Sequence, residues 1–353
     1  MTTDTSEIDV HEPVLLEPHF IRRFYRASGR LSAFRSHPAG DYDSEEWIGS
    51  TTQVFGGEND LGLSALTSGE LLRDVVRRDP IGILGPQHVE RFGPSTELLV
   101  KILDAGERLP VHIHPNRDFA QTHLGSVHGK AEAWIILEAP ESAAIYVGFK
   151  RPLERDEILD LMERQDSEAM LSAMHRIPIQ AGDAVFVPAG LPHAIGEGLL
   201  LVELQEPTDY SMLMEWAGYD LDAAKTGRLG LSTEVAVGAI NPAGLPEDNV
   251  LTLVRRGEGD NRAALTPALP RSADAYFRAE HVKSGAELDP DFSIVIVVEG
   301  PLVIRTQVGS SREYQKGQAV MIPFSAGQCT FSGEGSAIRC RPPAPERSRL
   351  AWK

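Results

Sequence analysis

Short apolar runs separated by Gly, Pro, Ser and Asp make up most of this chain, and few stretches keep a helical period. That pattern predicts β-strands joined by tight turns. Up to about Gly57, the segments EPHFIRRFYRASGRL and SEEWIGSTTQVFGG read as short strands with turns. A helix is predicted next, with Leu71, Leu72, Val75 and Val76 on one face. Thr67 or Ser68 would cap it and Pro80 would end it. GPSTELLVKILDAGERLPVHIHP reads strand–turn–strand, turning at Gly106. AEAWIILEA and AAIYVGF are predicted strands. Two short helices follow around residues 154–177, the second starting at Asp166 or Ser167. Strands resume in IPIQAGDAVFVPAGLPHAIGEGLLLVELQE, and AKTGRLGLSTEVAVGAI is expected to hold one more short helix. Beyond Pro242 the pieces DFSIVIVVEGPLVIRTQV, KGQAVMIPF and GQCTFSG are strands again.

One pattern recurs. AGDAVFVPAGLPH and KGQAVMIPFSAGQC each hold a Gly, five residues and a Pro: Gly182 to Pro188, and Gly317 to Pro323. A repeated strand–turn unit in a β-rich chain predicts two related barrels. The Pro/Gly/Asp-rich stretch from Asn241 to Asp248 is the natural boundary. The expected organisation is a metal-binding first domain, 1–240, with the helical insertion, and a second barrel, 241–353, without metal ligands.

Composition narrows the setting. The chain has 353 residues, 42% hydrophobic, enough for about two cored domains. Its net charge of −17 repels phosphate backbones and anionic membranes, so neither nucleic acid nor a membrane is an expected partner. The polar, acidic start has no signal-peptide pattern, and no apolar run is long enough to span a bilayer. The two cysteines, Cys329 and Cys340, are too few for a disulfide scaffold and read as reduced strand residues. A cytoplasmic location is expected.

The chemistry-bearing residues lie between about 96 and 210. In VHIHP, His112 and His114 are two apart, so in a strand both imidazoles face one way. Glu132 opens the next predicted strand and His193 ends the turn GDAVFVPAGLPH. Three imidazoles and a carboxylate on adjacent strands make a divalent metal site with room for water or substrate. Glu203 lies inside the apolar strand LLLVEL, where an unpaired carboxylate is costly, which favours a role in a site. Trp134 is expected in the core. His123 and His128 are expected in a surface loop, and Lys225 and Arg228 divide evenly between a surface patch and phosphate binding.

The spacing G-x5-H-x-H, then Glu, then G-x5-P-x-G-x2-H resembles the cupin β-barrels. GERLPVHIHPN, GKAEAWIILEA and PAGLPHAIGEGLLLVELQEPTD resemble, more narrowly, the type I phosphomannose isomerases. Weaker similarity reaches LLVKILDAGE, SEEWIGS, EPHF and the C-terminal barrel. The resemblance implies a zinc-dependent aldose–ketose isomerase that interconverts mannose 6-phosphate and fructose 6-phosphate. It implies His114, Glu132 and His193 as metal ligands, with His112 at a position usually held by Gln. It places Lys130 and Glu203 at polar active-site positions and Lys101 at a pocket lysine. Arg228 is the basic residue nearest to an Arg that short bacterial members carry, and is assigned a catalytic and substrate-binding role.

Two departures stand out. Hydrophobic Leu213 occupies the place of a prominent family Arg, and RFYRASGRL replaces an N-terminal Trp-Gly-Gly element. Two alternatives therefore remain open: a metal cupin acting on another substrate, and a carbohydrate-binding or regulatory relative without turnover. Lys130 beside Glu132 favours sugar over oxygen chemistry. The second barrel offers Gln328 and Cys329 where the first has His193, and is expected to be structural.

Overall fold

The computed structural model describes residues 9, 11–222, 227–257 and 263–345. The expected β-rich architecture is present as two units, each a pair of antiparallel sheets. In the first unit a seven-stranded sheet runs in the order Val254–Arg255, Ala184–Val187, Glu132–Glu138, Leu199–Gln205, Leu99–Ala105, Glu45–Ile48, Phe20–Ile21. Facing it is a five-stranded sheet: Met212–Leu213, His112–Ile113, His193–Ile195, Ala144–Phe149, Met174–Pro178. The second unit pairs a six-stranded sheet (Val14–Leu16, Ala319–Ile322, Ser293–Glu299, Ser336–Arg341, Arg278–Lys283, Leu265–Pro267) with a four-stranded one (Glu287–Leu288, Cys329–Gly333, Leu302–Thr306, Ser311–Tyr314).

The strands follow from continuous apolar runs. Leu99–Ala105 and Leu199–Gln205 are buried at every residue and pair with each other along their whole length. A strand covered on both faces reads as a mainly hydrophobic run, here interrupted by Lys101, Asp104, Glu203 and Gln205. One core spans both units, joining Val100, Ile102 and Leu204 of the first to Ile294, Met321 and Ile338 of the second. A separate cluster including Val282, Val295, Val320 and Ala337 fills the interior of the second unit.

The chain crosses the expected division near residue 240 twice. Val14–Leu16 pairs with Ala319–Ile322 in the second unit, and Val254–Arg255 pairs with Ala184–Val187 in the first. Arg35 ties the joint: it lies 2.8 Å from Glu46 and donates to Leu16 O (3.1 Å) and Gly317 O.

Several helices depart from the expected elements. The helix after residue 70 starts at Leu72 with Leu71 as its cap residue, because Ser68 instead accepts from Glu70 N (3.4 Å) in a preceding turn. The insertion comprises Arg155–Arg164, with a Glu154/Glu157 capping box, and Ser167–Ala173, capped by Asp166. It stops short of 177, because Met174–Pro178 pairs as a strand with Ala144–Phe149. The expected short helix near the end of the first unit is Thr233–Ala236, followed by a 3-10 turn at Val237–Ala239. Arg30–Arg35, Pro80–Leu84, Pro86–Phe92 and Arg117–Leu124 are further helices that the β reading passed over. Their signals are local: Pro at the first position of two, and Asn116 capping the last by accepting from Phe119 N (2.8 Å). Among the described residues, no helix is long and apolar enough to cross a membrane. Cys329 and Cys340 are free, buried and in strands, as expected.

Candidate metal centre and its cavity

His112 and His193 face each other across a strand pair, and Leu213 pairs with His112 on its other side. His114 continues the same face two residues on, and its carbonyl accepts from Gly190 N (2.6 Å). Gly190 has φ +84°, which L side chains rarely adopt, so the Pro188–Gly190 turn needs it to bring His193 back to His112. Glu132 opens its strand opposite Val187, just before that turn. Gly129 lets the Gly-Lys loop lie on the His114 segment; a Cβ there would come within 2.6 Å of Pro115 O. The structure thus brings together the four residues expected to hold a metal. One donor atom from each of His112, His114, Glu132 and His193 lies within 4.8 Å of all the others, and all four residues are buried.

Hydrogen bonds fix the ring orientations. His112 Nδ1 donates to Pro110 O (2.8 Å), His114 Nδ1 to Tyr210 O (2.7 Å) and His193 Nδ1 to Leu191 O (2.8 Å). A carbonyl only accepts, so each Nδ1 carries the proton and each Nε2 keeps a lone pair facing the cluster. Burial drives His112 well below the usual imidazole range and His114 down to about 3, holding both neutral. Burial alone would raise Glu132, but its neighbours, the Lys130 ammonium among them, outweigh it and hold the carboxylate ionised. His193 Nε2 is buried without a hydrogen bond, 3.2 Å from Glu132 Oε1. Three imidazole lone pairs and a carboxylate form a set that calls for a cation, and they fit a divalent metal. The Lys130 ammonium is itself 2.8 Å from both His114 Nε2 and Glu132 Oε2.

A small cavity opens beside the cluster. Lys101, Lys130, Glu132 and Glu203 line it with His112, and Leu103, Leu109 and Leu213 give it an apolar wall. Lys130 is 3% exposed, so it belongs to this interior rather than to a solvated loop. Glu203 pairs in register with Lys101 on one side and Trp134 on the other. Burial pushes Glu203 up to about 8, against the pull of Lys101, whose Nζ is 3.9 Å away. Trp134 is fully buried, its ring 5.7 Å from that of His193.

Sequence reading missed a second charged layer. Glu45 accepts from Tyr25 Oη (2.6 Å) and Trp47 Nε1 (2.8 Å), and lies 3.3 Å from both Lys101 and Arg23. Arg23 also reaches Asp209 (3.4 Å), which lies 4.0 Å from Lys101. Burial raises Glu45, but Arg23 and Lys101 outweigh it and hold it far below the carboxylate range. The two acids in SEEWIGS, adjacent to a Trp in a short strand, were the available signal.

Arg228 is not among the residues lining the cavity or the neighbouring outer cleft, although Leu229 lines that cleft. Lys225 lies outside the described residues. His123 sits in the helix Arg117–Leu124 rather than a loop, with its ring 4.5 Å from that of Phe119. His128 Nε2 is 3.0 Å from Glu97.

No family model matches the chain. It is 34% identical over 165 residues to a mannose-6-phosphate isomerase of Streptococcus mutans, covering 46% of this chain and 48% of that relative. It is 27% identical over 250 residues to the Bacillus subtilis mannose-6-phosphate isomerase ManA, covering 70% of this chain and 75% of that relative. The chain thus spans about half the length of the first relative. Among solved structures, a mannose 6-phosphate isomerase from Bacillus subtilis aligns with TM-score 0.72 at 22% identity, over 94% of this chain and 99% of that one. A phosphomannose isomerase variant from Salmonella typhimurium aligns with TM-score 0.68 at 15% identity, over 94% and 100%. These structures share the fold.

Proposed function

We propose that this chain belongs with the mannose-6-phosphate isomerases of the cupin superfamily and is a metal-dependent aldose–ketose isomerase. Its substrates would be mannose 6-phosphate and fructose 6-phosphate, related by proton transfer between C1 and C2. The observation that carries this reading is the buried three-His, one-Glu cluster beside a cavity lined by Lys101, Lys130 and Glu203.

His112, His114, Glu132 and His193 would hold the metal, with zinc the expected ion. When bound, it supplies positive charge that offsets the negative charge developing on the sugar oxygens. Lys130 and Glu203 flank that point, their side chains 3.7 Å apart, and are the groups placed to hold and move the proton. A carboxyl pushed up to about 8 by burial can both accept and return a proton near neutral pH. Lys101, held by Glu45, Glu203 and Asp209, orients the sugar from the cavity floor. Arg228 follows Gly227, whose carbonyl accepts from Leu213 N (2.8 Å) on the cavity wall, and it stays the candidate for a catalytic and substrate-binding cation at the rim. A cytoplasmic location goes with the sugar-phosphate substrate.

One observation favours a second reading. Leu213 puts an alkyl group on the cavity wall, which suits an aldose of different size or without a phosphate. The deciding experiment is a coupled assay for fructose 6-phosphate from mannose 6-phosphate, with metal analysis of the same sample. Turnover that stops with chelator and returns with zinc establishes the first reading. Bound metal without turnover removes that substrate and leaves the second.

A further inference from the structure

The interior of the second unit answers the metal site position by position. Glu132 pairs with Val187, just before Pro188; Ser293 pairs with Ile322, just before Pro323. One strand over, Glu203 pairs with Trp134 and Lys101, and Arg339 pairs with Val295 and Glu280. Ser293 therefore stands where the first unit has Glu132, Arg339 where it has Glu203, and Glu280 where it has Lys101. The charges on the facing pair are reversed.

Arg339 is 4% exposed, and among the described residues it has no ion-pair or hydrogen-bond partner. Its Nε is buried and unpartnered, and so is the Oγ of Ser293. The neighbouring carboxylates are already committed. Arg341 holds Glu280 in a two-pronged contact and reaches Asp291 (2.9 Å); Arg278 also reaches Asp291 (3.3 Å). Three guanidiniums thus share two carboxylates, and Arg339 is the one left over. Burial first, then Arg341, pushes Arg339 down to about 10. Glu280 and Asp291 pull the other way without pairing with it, and a buried guanidinium with no paired counter-charge is a standing cost that an anion lowers.

We propose that the interior of the second unit binds a small oxyanion through Arg339 and Ser293, at the position that the first unit gives to its metal cluster. The single surplus positive charge matches one negative charge, and the planar guanidinium matches the paired oxygens of a carboxylate or phosphate. The Ser293 hydroxyl supplies a further donor.

The test is thermal unfolding of the full chain in sodium acetate, sodium phosphate and sodium chloride at matched ionic strength. An oxyanion raises the midpoint by ~2 °C or more over chloride, and Arg339→Met abolishes the rise. A response to acetate alone marks a carboxylate ligand; a response to phosphate alone marks phosphate. Arg339→Met removes an unpaired buried charge, so it is expected to fold. If it does not, calorimetric titration of the responding anion into Ser293→Ala decides, with affinity about 5-fold weaker than in the unsubstituted chain. No rise with either oxyanion, a rise that survives Arg339→Met, or unchanged affinity in Ser293→Ala overturns the proposal. Isomerase assays on the same variants read the metal cluster separately, so this outcome does not depend on the reading given to that site.

Discussion

The two units share a strand order and a Gly–five–Pro turn but differ in what they bury. In the first, the turn after Pro188 delivers His193 to two more imidazoles and a carboxylate. In the second, the same turn after Pro323 leads to Gln328 and the buried thiol of Cys329. The difference teaches that the scaffold supplies positions and the side chains supply chemistry. A strand that ends beside a tight turn can place a metal ligand or a hydroxyl with equal accuracy.

The largest test of that contrast is His193→Ala. Bound metal is expected to fall more than ~10-fold, with turnover following, by metal analysis and coupled assay. The matching change in the second unit, Gln328→Ala, should leave both unchanged. Metal retained in His193→Ala would break the comparison at its centre. Next, Lys130→Met should keep its metal and lose turnover by ~10²–10⁴-fold; undiminished turnover would take Lys130 out of the mechanism. Third, Arg35→Met leaves Glu46 buried without its partner and should lower unfolding stability by about 3 kcal/mol in urea. Arg35→Met with Glu46→Gln should recover part of that loss.

The smallest expected effect is a pH slope. Burial pushes Glu46 up to about 7, against the pull of Arg35. A carboxyl whose folded pKa lies above its unfolded value binds more protons when folded, so its contribution to stability is lost as pH rises. Between the ordinary value of 4.5 and about 7, stability should fall by about 1 kcal/mol per pH unit from this group. Glu46→Gln should flatten the slope, measured by urea unfolding at successive pH values. An unchanged slope would show that Glu46 is not its source.

The metal cluster was legible because period-2 alternation puts His112 and His114 on one face and because the Gly-Pro-Gly turn preceding His193 has a fixed spacing. The two-unit β fold was legible from the same turn appearing twice. The layer of Arg23, Glu45 and Asp209 was not, because three separate segments supply it and only sheet order brings them to Lys101. Arg117–Leu124 was missed because the β pattern on either side masked its Asn116 cap. Arg339 gave no sequence signal either: one arginine in SAIRCR says nothing about whether its strand partner is an acid already taken by Arg341.

The exchanged edge strands bear on how the polypeptide is made. Val14–Leu16 is translated about 300 residues before its partner Ala319–Ile322. Until then one edge of the six-stranded sheet does not exist, and the N-terminal segment has no place to lie. Assembly of the nascent chain is therefore not a simple sequence of first half then second half. The closing event joins two segments about 300 residues apart, and a fragment released before residue 319 would expose a strand built to be paired.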